Sequence, residues 1–197
     1  MEASFSAVVV RRLWAYPGRV EIPVFPLPSV VLFPYTLLPL HIFEPRYRAM
    51  TAWCLEHDQP MAVGRMGRLM GAGRVVRHEC MPDGRYNIVL AGEQRVRLFE
   101  ELPVREGYRV FRAETVADEG DDGGQLAAIR ALCATLALRS ERVAQFVDGV
   151  LQREDPGEIA DRLAAGLQDV EHQQRLLECT RVDQRLESLV EELAGLV

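Results

Sequence analysis

Two Cys–His pairs, Cys54-x-x-His57 and His78-x-Cys80, come closest to a metal site in this chain. Positions i and i+3 share a face of a helix and i and i+2 share a face of a strand, so the four side chains could converge. Structural zinc ordinarily uses knuckles of closely spaced cysteines, and none occurs here. The pairs therefore read as core cysteines and surface histidines, and no metal is expected. Catalytic groupings are lacking as well. Ser4, Ser6, Ser29, Ser140 and Ser188 lie in no Gly-x-Ser-x-Gly elbow. Glu100-Glu101, Asp121-Asp122 and Glu191-Glu192 are sequence neighbours, so their side chains diverge on a strand or helix. All 23 basic residues are arginine. Without lysine there is no Walker A lysine, no Schiff base and no Ser-Lys dyad. Gly71-Ala72-Gly73 is followed by no Gly-Lys pair and reads as a strand entry, not a phosphate cradle. The expectation is a non-enzymatic protein without catalytic residues or cofactors.

What is left is recognition chemistry. Arginine and tyrosine are enriched at binding hot spots, and Arg46, Tyr47, Tyr86, Arg95 and Arg97 are the candidate ligand- or peptide-binding residues, with Arg48 beside them. A second role competes and is favoured: these arginines can pair with acids of the helical half and hold the lobes together. Exposed pairs of that kind are common and contribute only about 0–1 kcal/mol each.

The elements that must position these residues fall into two halves. Up to about residue 118 the pattern has a short period broken by Pro and Gly. "VEIPVFPL" and "TLLPLHIF" read as strands whose prolines belong at edges or strand ends. Met81-Pro82-Asp83-Gly84 predicts a hairpin turn, because Pro presets one φ and Gly supplies a positive one. Gly92 is read as a second turn, and "GYRVFRAETV" as one more strand. Five to seven short strands with one helix among them predict a small, strongly curved sheet or pseudo-barrel over 20–118. The acidic, glycine-rich stretch 119–124 reads as a linker, and 125–197 as a bundle of four or five amphipathic helices. Leu126, Ile129, Leu132, Cys133 and Leu136 follow the helical period, as do Val143, Phe146, Val147, Val150 and Leu151. Asp155-Pro156-Gly157-Glu158 predicts one helix start, and Thr180-Arg181-Val182-Asp183 another. The fold class is α+β.

In "LPLHIFEPRYRAM" a strand hands over to a helix almost without a loop. Pro45 suits the first helical position, and Glu44 places negative charge at the positive end of the helix dipole. Charge divides with the halves: residues 1–118 hold 15 Arg against 13 Asp and Glu (net +2), and 119–197 hold 8 against 16 (net −8). A nucleic-acid binder ordinarily carries a clearly basic domain, which +2 is not. With 48% apolar and 26% charged residues the composition is that of an ordinary globular protein. Glu2 precedes the first apolar run and no small-residue cleavage site follows, so a cytoplasmic location with four reduced cysteines is expected.

"VEIPVFPLPSVVLFPYTLLPLHIFEPRYRAM", "PDGRYNIVLAGEQRVRLFE" and "DPGEIADRLAAGL" together resemble the N-terminal substrate-recognition domain of the Lon protease family, over about Val20 to Leu196. The resemblance implies a PUA-like β pseudo-barrel carrying one inserted helix and followed by a helical bundle. It also implies a non-catalytic polypeptide-recognition module that binds unfolded or extended segments. The ATPase and Ser-Lys peptidase modules of full-length Lon proteases have no counterpart in these residues, so the expectation is a free-standing Lon-domain protein. Residues 1–19 read as an extension outside the resemblance. Two other functions stand beside recognition: an adaptor that docks a separate protease or ATPase through the acidic helical lobe, and an RNA-binding PUA-like module. The second is disfavoured by the charge balance, and no membrane contact is expected.

Overall fold

The structure, a computed structural model, describes residues 20–197. The predicted extension at 1–19 lies outside the described residues. Strands β1 (Val20–Pro26) and β2 (Leu37–Ile42) precede helix α1 (Pro45–His57). Strands β3 (Met61–Gly64), β4 (Met70–Cys80), β5 (Tyr86–Arg105) and β6 (Tyr108–Val116) complete the sheet. Helices α2 (Leu126–Ala137), α3 (Glu141–Leu151), α4 (Pro156–Ala165), α5 (Val170–Glu178) and α6 (Val182–Gly195) follow.

The sheet runs β2-β5-β4-β3-β1-β6, and β5 also pairs with β6. Five strands thus close on themselves while β2 hangs outside the ring. Closure depends on the length of β5. Its first half, from Tyr86, pairs with β2 and β4, and from Arg95 onward it pairs with β6. Closure is uneven, since β3 has four residues and joins β1 over Val24–Pro26 only. Pro23 sits just before that stretch, at the end of the β1–β3 pairing, a position that suits a residue without an N–H.

Local chemistry explains most element boundaries. Gly84 (φ 78°) closes the β4–β5 hairpin, with Met81 N–H donating to Arg85 O at 2.8 Å. Pro45 opens α1, and Asp58 in the left-handed region ends it. Asp155 accepts from the Gly157 and Glu158 amides at the start of α4, with Pro156 at the first turn. Helix α6 starts at Val182 with Arg181 at its N-cap and no side-chain cap; the Val182 N–H donates to the Glu119 carbonyl instead, at 2.9 Å.

Gly92 is not a turn, because β5 runs straight through it. A bulge against β4 falls there, and a Cβ on Gly92 would lie 2.0 Å from the Phe33 carbonyl oxygen. Gly71 is the same case: its Cβ would lie 1.7 Å from Leu32 O. The two glycines let the β1–β2 loop lie directly on the sheet. That placement carries Phe33, fully buried, out of the barrel and into the helical core beside Ile129, Leu163, Leu177 and Leu186. The barrel is filled separately, around Phe25, Tyr47, Met50, Ile88, Leu90 and Tyr108 on one side and Ile22, Val24, Val96 and Phe111 on the other.

Candidate functional site

Two regions bring polar groups together, and they differ in kind. The first is the lobe junction. Arg95, on the face of β5 covered by the helical lobe, donates from Nε to Leu177 O at 2.8 Å and from both terminal nitrogens to Asp161 of α4, at 3.0 and 2.5 Å. Arg185 of α6 grips Asp118 with bonds of 3.0 and 2.6 Å and lies 3.2 Å from Asp161. Asp118 also approaches Arg95 at 3.2 Å. Arg95 is 2% exposed, and Arg185 and Asp161 are 0%. Burial pushes the Asp161 carboxyl up, and the two guanidiniums pull against it. Two arginines face two aspartates, so the junction carries no net charge. Around this square Gln174 donates to Leu69 O at 3.0 Å, and Arg68 N–H donates to Glu178 at 2.7 Å.

The five residues singled out by sequence do not form one surface. Arg95 belongs to the buried square, so its guanidinium is withdrawn from any external ligand. Arg97, one period further along the same face of β5, lies beyond the cover of the helical lobe and pairs at 2.7 Å with Glu114, its cross-strand partner. Arg46 is exposed on α1, bound to Glu44 at 2.8 Å and 4.5 Å above the Tyr47 ring. Tyr47 is a core residue, 5% exposed, with its ring 4.1 Å from that of Phe25; burial pushes its phenol up. Tyr86 is half-buried at the start of β5 against the same core. Arg46 and Tyr47 are thus brought together, and Tyr86 joins Tyr47 only through the barrel interior.

The Cys–His pairs do not converge. Cys54 is buried in the barrel core, where burial pushes its thiol up to about 12. His57 stacks on Trp53 at 4.7 Å, and Cys80 is exposed. Among the described residues no group of three or more His, Cys, Asp or Glu side chains is placed to hold a metal ion.

The second region is the outer edge of β2. Among the described residues this strand pairs with β5 only. The pairing parity follows from two bonds. Gly92 N–H donates to Thr36 O at 2.8 Å on the β2 side, so even-numbered residues of β5 face β2. Met81 N–H donates to Arg85 O on the other side, so the odd-numbered ones face β4. In β2 the backbone groups of Leu38, Leu40 and Ile42 therefore engage β5, and those of Leu37, Pro39 and His41 point outward. The outward set holds two N–H donors, on Leu37 and His41, and three carbonyl acceptors, since Pro39 has no N–H. Large apolar side chains flank this edge, with Leu37 52% and Phe43 60% exposed. The adjoining outer sheet face carries a groove of about 690 Å³ lined by Pro39, His41, Arg77, Glu79, Asn87 and Val89 among others. His41 is held there by Asn87 at 2.7 Å, and Asn87 in turn donates to Glu79 at 3.2 Å. A separate cleft of about 310 Å³ lies at the junction, lined by Arg68, Arg175, Cys179 and Arg181 among others, and no strand edge borders it. Sequence reasoning missed the edge residues Leu37, His41 and Phe43; Pro39 inside "TLLPLHIF" was the signal that could have located them.

An unevenly closed five-stranded barrel with an external sixth strand, locked to a five-helix lobe among the described residues, makes this an α+β fold. The family model of the ATP-dependent protease La (LON) substrate-binding domain matches residues 21–195, and the chain belongs to that family. It is 25% identical to the Lon protease of Azospirillum brasilense over 93% of this chain and 25% of that protein. It is 28% identical to Lon protease 2 of Herpetosiphon aurantiacus over 86% of this chain and 23% of that protein. The chain thus spans about a quarter of the length of these relatives. In fold it is similar to the N-terminal domain of Mycobacterium avium complex Lon protease, with a TM-score of 0.71, 20% identity, and 89% of this chain and 98% of that one covered. It is also similar to a Lon N-terminal domain protein from Xanthomonas campestris, with a TM-score of 0.65, 24% identity, and 87% and 98% covered. Among the described residues no helix is long and apolar enough to cross a membrane.

Proposed function

We propose that this protein is a non-catalytic polypeptide-recognition module that takes an extended or unfolded segment along the outer edge of β2. The observation that carries this reading is the outward ladder at Leu37, Pro39 and His41, which pairs with no other strand among the described residues and is flanked by exposed Leu37 and Phe43. A strand laid against such an edge gains main-chain hydrogen bonds irrespective of its sequence, and the apolar flanks add affinity for side chains that a folded protein would bury. Membership of a substrate-binding family supports the same class of ligand. One short edge per chain corresponds to an affinity of about micromolar or weaker.

Fluorescence anisotropy tests this, with a labelled, permanently unfolded (reduced and alkylated) polypeptide and a labelled single-stranded RNA titrated side by side at near-physiological salt. The expected result is saturable binding of the polypeptide only, weakened in a Leu37→Ser, Phe43→Ser double variant. Binding of the RNA alone would overturn the reading.

A further inference from the structure

We infer that Pro39 is the specificity-determining residue of this edge, admitting a foreign extended strand while refusing a second copy of β2. The inference rests on the proposed edge-binding function and adds to it a selection rule.

The rule comes from counting groups. A foreign strand lying antiparallel to β2 meets three outward sites, Leu37, Pro39 and His41. Each site can exchange two bonds, one through its N–H and one through its C=O. Pro39 supplies only the carbonyl, so five of six bonds form and the foreign residue opposite keeps one carbonyl unpaired. A second copy of β2 has its largest overlap about a two-fold axis through residue 39. Leu37 then faces His41 of the copy twice over, for four bonds. At the centre Pro39 faces Pro39, and both central bonds are lost at once. Two pyrrolidine rings also meet where two donors should be. The single proline therefore costs a foreign partner one bond and a copy two, at the position where they would matter most. An edge proline is a known device against edge-to-edge aggregation. Here it is placed so that the edge stays open to other chains, since the flanking N–H groups of Leu37 and His41 remain available. The same parity sets a requirement on the ligand: its residues opposite Leu37, Pro39 and His41 must each carry an N–H, so the segment that binds has no proline at those alternate positions.

Pro39→Ala tests this, because the N–H it restores points away from β5 and leaves the existing ladder intact. Solution mass would be followed by analytical ultracentrifugation across a concentration series, for wild type, Pro39→Ala and Pro39→Ala with His41→Pro, each checked for unchanged circular dichroism. The expected result is a concentration-dependent doubling of mass in Pro39→Ala only, lost again when His41→Pro removes the neighbouring donor. Below the doubling concentration, Pro39→Ala should bind the unfolded polypeptide about 2- to 10-fold more tightly, the effect of one added hydrogen bond. Equal masses for wild type and Pro39→Ala at every concentration would overturn the inference, as would an unchanged Kd for the polypeptide. If wild type binds no unfolded polypeptide, the functional reading fails, and the mass comparison still decides the role of Pro39.

Discussion

At the lobe junction Arg95, Asp161 and Arg185 are withdrawn from water and bonded mainly to one another and to the partly exposed Asp118, whereas along β2 the outward backbone groups of Leu37, Pro39 and His41 pair with no other strand among the described residues. Both regions involve the same strand, β5, the first through Arg95 beneath the helical lobe and the second through the Tyr86–Ala91 stretch that pairs with β2. The difference teaches where this molecule can accept a partner. A buried set of charges bonded mainly to one another resists separation, since removing either partner strands the other in a medium of low polarity. An open ladder can gain bonds without losing any. On the proposed reading recognition belongs to the edge, and the junction ties the two lobes together.

The sharpest way to break the comparison is Asp161→Asn. It leaves Arg95 and Arg185 buried with one carboxylate fewer and should destabilise the fold by about 3–5 kcal/mol, read as a lower urea midpoint. A change below about 1 kcal/mol would mean that the junction is wetter than described. Gly71→Ala comes next. It presses a methyl group into the Leu32 carbonyl, and so disturbs the loop that sends Phe33 across to the helical core. The expected cost is about 1–3 kcal/mol. Arg97→Gln is the smallest. It breaks only the exposed pair with Glu114 and should change stability by no more than about 1 kcal/mol. The contrast between Asp161→Asn and Arg97→Gln measures what burial adds to an ion pair.

Much of the fold was legible locally. The turn at Met81–Gly84, the helix starts at Pro45 and Asp155, and the helical period from Leu126 onward are each set by a few neighbouring residues, and the structure realises them at those positions. Gly92 was misread, because in sequence a glycine that permits a turn looks the same as one that admits the carbonyl of a distant segment. The candidate site was less legible. Arg95 and Arg97 have the same residue type and the same alternation, yet one is buried with Asp161 and the other pairs with Glu114 in water. Only the curvature of the sheet beneath the helical lobe separates them.

The sequence by itself determined the element types, the absence of lysine chemistry, the split of charge between the halves and membership of a substrate-binding family. These depend on residue identity and short-range periodicity. The tertiary structure decided which arginine is buried, where the β1–β2 loop crosses the sheet, and which strand keeps a free edge among the described residues. Strand order and pairing parity arise from contacts between residues far apart in the chain, and no local pattern encodes which side of β2 remains unpaired.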